Sequence, residues 1–212
     1  MKTLLVLISS FTIIQCSGQT VTADKTDTLS SNIIFFDNFD NNKHNWTVGT
    51  NKEASAKMEG GFYYLTALGH AYGEAQEIKI DTRKNFQIET RVKIVSGKSE
   101  HKDYYSMLFW GRAAMVGYYF TFAKDGFASI EVCNSKNQNS CMVKPGSLQQ
   151  TKLDPNEFNV YTIRKTGRTY TFFINGAEFY SMPFSPFYGN LIGVGAGRKV
   201  GLVIDYLKVI YL

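Results

Sequence analysis

The sequence is poor in histidine and cysteine, which removes several kinds of catalytic and metal site. There are three residues of each type in a chain of 212. No histidine lies between Cys133 and Cys141, and their spacing fits no zinc pattern, so we expect no zinc site there. His44, His70 and His101 lie in polar, loop-like stretches, and no Gly-x-Ser-x-Gly motif is present. The sequence therefore gives no sign of nucleophilic catalysis.

Charged residues form no long run of one sign. Lysine and arginine number 23 against 18 aspartate and glutamate residues, which gives a formal net charge of +5. The basic residues are scattered along the chain, with never more than two in succession. Because nucleic-acid binding normally requires a basic stripe or patch, nucleic acid is not an expected partner.

A long apolar run is also missing, and the one short run lies at the N-terminus. Met1-Lys2 and Thr3–Ile14 form a cationic start and an apolar stretch, which is typical of a signal peptide and too short to span a bilayer. Two processing routes remain open, namely cleavage after Gly18 and lipidation of Cys16. The residues before Cys16 resemble a bacterial lipobox except at Gln15, and we favour the lipoprotein.

Either route predicts that residues 1–18 direct export. We expect an extracytoplasmic protein, which is a periplasmic or outer-membrane-anchored lipoprotein or a secreted protein. Contact with a membrane is expected only through an N-terminal lipid on Cys16. Residues 19–32 are rich in Thr, Ser and Asp and are interpreted as a flexible tether.

Residues 33–212 show no internal repeat and are interpreted as one domain. Within it, Cys133 and Cys141 are separated by the polar segment NSKNQNS, which is typical of a hairpin loop. In an exported protein this arrangement predicts a disulfide. On the chain-entropy model, such a short loop contributes roughly 2–3 kcal/mol to stability.

No stretch of the domain has a convincing helical period, and the patterns are those of strands and tight turns. Apolar and polar residues alternate over Phe86–Ile94, which predicts a strand with one buried face. The pairs Gly60-Gly61, Asp125-Gly126 and Asn175-Gly176 each separate two strand-like runs. This series of hairpins predicts an all-β antiparallel sandwich, in which the first strand pairs with the last.

Five segments of the domain resemble one fold family. They read FFDNFDNNKHNW (35–46), YYSMLFWGR (104–112), GYYFTFAKDGFASI (117–130), FNVYTIRKTGRTYTFFINGAEF (158–179) and IDYLKV (204–209). Together they resemble the concanavalin A-like jelly-roll domains, and more narrowly the laminin-G-like or glucanase-like domains of exported Bacteroidetes proteins. The resemblance covers Ile33 to Leu212 and implies a jelly roll whose partner is a glycan or polysaccharide. It does not decide between binding and catalysis, because this fold hosts both.

Catalytic carboxylates are missing where glucanases of this fold carry them. Those enzymes place acids at alternating positions of one strand, in a Glu-x-Asp-x-x-Glu motif, and retaining hydrolysis needs two carboxyls about 5–5.5 Å apart. This chain has no such motif, and neither Glu89 nor Glu131 has an acidic residue two positions away. We therefore expect a non-catalytic, lectin-like carbohydrate-binding protein. A glycoside hydrolase with an acid pair from separate strands and an extracytoplasmic protein-interaction module remain alternatives.

Aromatic and charged residues of the middle strands are the candidate sugar contacts, since pyranose rings stack on aromatic faces and their hydroxyls meet polar side chains. The candidate ligand-binding residues are Glu89, Arg91, Tyr105, Trp110, Arg112 and Tyr119. If their strands share one sheet, they form a single groove. Because successive side chains of a strand point to opposite faces, about half of these rings are expected to lie in the core. The sequence does not decide which of them face outward.

A structural calcium ion is a weaker expectation, and no other cofactor is expected. Jelly rolls of this kind often carry calcium near the chain ends, where Asp37, Asp40 and Asp205 are possible oxygen ligands. Asp37 and Asp40 are explained equally well as turn residues that bind their own backbone.

Overall fold

The structure is a computed structural model that describes residues 32–97, 105–113, 116–134, 141–154, 157–185 and 189–212. These residues form sixteen strands in two antiparallel sheets, and they contain no helix. No helix capable of crossing a membrane is therefore found in the described ranges. The predicted N-terminal signal, Cys16 and the tether up to residue 31 lie outside these residues.

Sheet A is the larger sheet, with nine strands. In spatial order it contains β14 (Ala177–Pro183), β13 (Thr169–Ile174), β12 (Asn159–Thr166), β6 (Phe86–Ser96), β16 (Gly201–Tyr211), β4 (Phe62–Ala67), β3 (Ala54–Glu59) and β2 (Gly49–Thr50). The first strand, β1 (Ile33–Asp37), pairs with the end of β16. The predicted pairing of the first and last strands is confirmed.

Sheet B has seven strands. In spatial order it contains β10 (Cys141–Val143), β9 (Phe127–Cys133), β8 (Val116–Ala123), β7 (Tyr105–Ala113), β15 (Leu191–Ala196) and β5 (Tyr72–Glu77). The short strand β11 (Gln149–Gln150) also pairs with β9. Two antiparallel sheets packed face to face make the predicted concanavalin A-like jelly roll.

The predicted turns form at glycine and asparagine residues that adopt positive φ angles. Asn175 and Gly176 have φ angles of 51° and 80°, and they connect β13 to β14. Gly60 and Gly61 have φ angles of 60° and 76° between β3 and β4. Residues other than glycine and asparagine rarely adopt positive φ at two successive positions, so these pairs set the register of their hairpins.

The core between the sheets is dominated by aromatic rings. Trp110 of sheet B meets Phe86 of sheet A edge to face, with ring centroids 5.0 Å apart and planes at 87°. Trp110 also meets Tyr170 at 5.6 Å, and Phe120 meets Phe172 at 5.5 Å. These contacts join the two sheets, and such ring pairs contribute about 0.5–1.5 kcal/mol each beyond their buried area.

The predicted disulfide between Cys133 and Cys141 is present, with an S–S distance of 2.00 Å. The two residues are direct cross-strand partners in the β9–β10 pair. The bond therefore ties β10, the edge strand of sheet B, to β9 at the point where the two strands meet their connecting segment.

Candidate functional site

The outer face of sheet A carries polar side chains that are engaged with one another. Glu89 of β6 accepts hydrogen bonds from Tyr206 Oη at 2.9 Å, Lys208 Nζ at 2.8 Å, Gln87 Nε2 at 2.8 Å and Thr162 Oγ1 at 3.3 Å. Burial alone would raise the pKa of Glu89, but the bonds from Lys208 and Tyr206 outweigh it and lower this pKa. The carboxylate is thus held in its charged form by neighbours on three strands.

Arg91, two residues further along β6, is also satisfied within the sheet. Its Nη1 lies 2.5 Å from Asp205 Oδ2. Its guanidinium lies over the ring of Phe158, 4.6 Å from the centroid, and Phe158 stacks in turn on Phe62 at 5.6 Å. Arg91 therefore holds together β6, β16 and the start of β12.

The outer face of sheet B instead contains an open cavity of about 490 Å³. The cavity is lined by β5 and the turn before it, by β7, β8, β9, β10 and β15, and by the turn after β15. Its lining residues are His70, Ala71, Tyr72, Gly73, Glu74, Ala75, Tyr105, Met107, Phe109, Tyr119, Glu131, Cys133, Cys141, Leu191, Val194 and Arg198. This volume lies within the range of small-molecule sites.

Strand alternation explains the apolar floor of this cavity. On β7, Leu108 and Trp110 point into the core, so Met107 and Phe109 point outward. Phe109 is the direct partner of Tyr119 on β8, and their rings lie 4.9 Å apart. Met107, Phe109 and Tyr119 are each 8% exposed, so they form the base of the cavity. Tyr105, at the end of β7, is more exposed and stands at its edge.

Glu131 places a carboxyl group beside this apolar floor. It lies on β9 directly opposite Tyr119. Burial against the apolar surroundings raises the pKa of Glu131. A carboxyl in this setting can accept hydrogen bonds from hydroxyl groups and, when protonated, can donate one. The disulfide between Cys133 and Cys141 holds the β9–β10 hairpin next to it.

The opposite end of the cavity carries a tyrosine, a second carboxyl, a histidine and an arginine, from β5 and the turns beside β5 and β15. Tyr72 Oη donates to Glu74 Oε1 at 2.5 Å. Glu74 is the cross-strand partner of Val194, whose side chain is buried in the core, so the Glu74 side chain lies on the inner side of β5. His70 and Arg198 are both exposed at this end.

The structure brings together only two of the six predicted ligand-binding residues. Tyr105 and Tyr119 line the same cavity. Glu89 and Arg91 lie on the outer face of sheet A, on the opposite side of the sandwich. The expected single groove does not form, because β6 belongs to a different sheet from β7 and β8.

The remaining two predicted residues also lie away from the cavity. Trp110 is 0% exposed, and its Nε1 donates to the carbonyl oxygen of Gly189 at 3.0 Å. The prediction that Trp110 contacts a ligand is therefore wrong, because alternation places this ring in the core. Arg112 is exposed at the end of β7 near Gly189 and is not among the residues that line the cavity.

The three aspartates expected near a calcium ion are engaged separately. Asp37 is buried and accepts hydrogen bonds from Trp46 Nε1 at 2.7 Å and from the Phe39 amide at 2.9 Å. Asp40 accepts a hydrogen bond from its neighbour Asn38, and Asp205 pairs with Arg91. Within the described ranges, no group of three His, Cys, Asp or Glu residues is placed to hold a metal ion.

Glu131 is not among the site residues predicted from the sequence, since no second acid lies two positions away from it on its strand. The better signal was the alternation in FASIEVC, which puts Ile130 inside and therefore Glu131 outside. The same logic would identify Phe109 once Trp110 was assigned to the core. His70 and Arg198 lie in turns, and no periodic pattern marks them.

The comparisons with known proteins concern the fold. No protein-family model and no curated protein sequence matches this chain. A laminarinase from Flavobacterium sp. UMI-01 aligns with a TM-score of 0.58 at 15% identity, covering 85% of this chain and 100% of that one.

Two further solved structures show the same likeness. An endo-β-1,3-glucanase from Pyrococcus furiosus has a TM-score of 0.55 at 12% identity, with coverage of 85% and 94%. The carbohydrate binding module CBM66 from Bacillus subtilis has a TM-score of 0.50 at 12% identity, with coverage of 84% and 97%. At these identities the likeness extends to the jelly-roll sandwich and no further.

Proposed function

We propose that this protein is a non-catalytic carbohydrate-binding protein and that its glycan site is the cavity on the outer face of sheet B. The observation that carries the proposal is the composition of this cavity. Aromatic and apolar side chains form its floor, and a few polar groups stand at its ends. That combination is what a sugar requires, because its C–H faces pack on rings while its hydroxyls need hydrogen-bond partners.

The roles of individual residues follow from their positions. Tyr105, at the edge of the floor, offers a ring face to a sugar, and Glu131 offers carboxyl oxygens to sugar hydroxyls. Phe109 and Tyr119 support these groups from below. The structural neighbours include a carbohydrate binding module of the same fold, which is consistent with this use of a jelly-roll sheet.

A glycan array probed with the purified protein tests the proposal, followed by calorimetric titration of the best ligand. Tyr105→Ala should weaken binding by about tenfold, since a ring contact of about 1.4 kcal/mol is lost. The matched control is Tyr64→Ala, which removes a half-buried tyrosine from the outer face of sheet A. Folded protein that binds no glycan, or equal losses in the two variants, would overturn the proposal.

Hydrolysis is the second candidate, because Glu131 is a partly buried carboxyl of raised pKa in a cavity, as a general acid requires. The arrangement around it disfavours a carboxyl pair. Glu74, the other carboxyl that lines the cavity among the residues that the structure describes, lies on β5, which is four strand spacings from β9. That is about 19 Å between backbones, against the 5–9.5 Å that glycosidases use. Release of reducing ends from a bound glycan, abolished in Glu131→Gln, would favour hydrolysis instead.

We also propose that the protein is exported and anchored by a lipid. A signal in residues 1–18 with lipidation at Cys16 would place the sandwich outside the cytoplasm, where polysaccharides are met. The presence of the Cys133–Cys141 disulfide is consistent with an oxidising compartment. Mass spectrometry of the membrane-fraction protein tests this, because a mature N-terminus at Cys16 with added acyl mass is expected. A mature N-terminus at Gln19 without lipid would show the alternative cleavage after Gly18.

A further inference from the structure

The charged side chains of the cavity are distributed unevenly. His70 and Arg198 lie in the turns beside the edge strand β5 and its neighbour β15, and Glu131 lies on β9, towards the opposite edge of sheet B. The register between β5 and β15 explains the first pair. Tyr72, the first residue of β5, lies opposite Ala196, the last residue of β15, so the segments that carry His70 and Arg198 leave the sheet at the same place.

The turn that carries Arg198 is fixed to the sheet by its backbone. The Gly197 amide donates to the carbonyl oxygen of Tyr105 at 2.6 Å, and the Val200 amide donates to the carbonyl oxygen of Gly197 at 3.1 Å. Lys199 adopts a φ angle of 57°, which closes the turn. Arg198 therefore projects from a defined position beside Tyr105, the ring assigned above to sugar stacking.

Arg198 has no carboxylate partner among the described residues. Of the two carboxyls that line the cavity within the described ranges, Glu74 accepts a hydrogen bond from Tyr72 and lies on the inner side of β5. Glu131 lies on β9, three strand spacings from β15, which is about 14 Å. An exposed guanidinium that lines a cavity and has no carboxylate partner among the described residues is suited to bind an anion of the ligand.

We propose that the ligand of this cavity is an acidic glycan, and that Arg198 and His70 bind its carboxylate or sulfate group. This inference rests on the proposed glycan function and narrows its substrate class. The fork of N–H donors on arginine matches the paired oxygens of either group. The formal net charge of +5 favours the approach of polyanionic chains, and Arg198 with His70 at the cavity provides the specific contact.

The test is calorimetric titration of the protein with three tetrasaccharides of matched length. Tetragalacturonate carries carboxylates, a heparin-derived tetrasaccharide carries sulfates and carboxylates, and laminaritetraose is neutral. At least one acidic probe should bind at least tenfold more tightly than the neutral one, and the difference between the two acidic probes identifies the preferred anion. Affinity should fall as salt is raised, because the contact is partly exposed.

The variants are Arg198→Ala and its neighbour Lys199→Ala. Lys199 is an exposed cation in the same turn that does not line the cavity, so it controls for net charge. Arg198→Ala should weaken binding of the acidic probe by about tenfold or more, which is the usual loss for a charge-assisted hydrogen bond. Lys199→Ala should weaken binding of the same probe by less than threefold. His70→Ala should give a smaller loss than Arg198→Ala.

Two results would overturn the inference and leave the proposed function standing. One is equal or tighter binding of laminaritetraose, with no effect of Arg198→Ala. The other is an equal loss in Arg198→Ala and Lys199→Ala, which would mean general attraction to a basic surface. If folded protein binds none of the three probes and no glycan on the array, both the inference and the proposed function fail.

Discussion

Replacing Trp110 by phenylalanine should destabilise the sandwich while leaving glycan binding intact. The substitution removes the hydrogen bond from the indole Nε1 to the Gly189 carbonyl oxygen, and loss of such a bond costs about 1 kcal/mol at a partly buried site. A smaller ring also weakens the edge-to-face contacts with Phe86 and Tyr170, by about another 1 kcal/mol in total. The expected sum is about 2 kcal/mol, and Trp110→Ala should cost about 3–5 kcal/mol.

Urea unfolding followed by far-UV circular dichroism measures this loss. With a slope of about 2 kcal/mol per molar urea, 2 kcal/mol lowers the unfolding midpoint by about 1 M. Calorimetric titration of the same variant with a bound glycan should give an affinity within about twofold of the parent protein. A normal midpoint combined with lost binding would refute the reasoning, because it would mean that Trp110 faces the ligand as the sequence first indicated.

Three further predictions concern stability. Alanine at both Cys133 and Cys141 should lower the free energy of unfolding by about 2.5 kcal/mol on the chain-entropy model for their separation of 8, and equal stability under non-reducing conditions would contradict this. Burial raises the pKa of Glu131 in the folded state, so its contribution to stability is lost as the pH rises above the ordinary value of 4.5. Glu131→Gln should therefore become more stable relative to the parent between pH 4 and pH 7, and a constant difference in unfolding free energy would rule this out. Asp37→Asn leaves one acceptor oxygen for two donors, the Trp46 indole N–H and the Phe39 amide, and should cost roughly 2–3 kcal/mol in urea unfolding; a change below about 0.5 kcal/mol would show that these buried bonds matter little.

The hairpins of this fold were predictable because their causes are local. Asn175-Gly176 and Gly60-Gly61 supply positive φ angles at the turns, and the polar–apolar alternation of Phe86–Ile94 fixes which face of β6 is buried. The pairing of the cysteines was equally local, since a short polar loop separates them. None of these inferences needed knowledge of which strands are neighbours in space.

The candidate site was less predictable because it depends on long-range pairing. Strand β6 and strand β7 follow one another in the chain, yet the first lies in sheet A and the second in sheet B. This crossing separates Glu89 and Arg91 from Tyr105 and Tyr119. Strands β7 and β8 are also buried on both faces, so no polar alternation marks which side of Trp110 faces inward.

The position of Arg198 illustrates a further limit. It lies in a turn, where residue identity carries no period, and it lines the same cavity as His70 because β5 and β15 are paired. Without knowledge of that pairing, His70 and Arg198 are two unrelated polar loop residues in the sequence. In the structure, both residues line the same cavity.

The central claim is that glycans bind on the outer face of sheet B, and an NMR titration of ¹⁵N-labelled protein with its best array ligand tests it most directly. We expect the amide shift changes to concentrate at Tyr105, Tyr119, Glu131 and Arg198, with little change at Arg91. Shift changes concentrated around Glu89 and Arg91, on the outer face of sheet A, would contradict it.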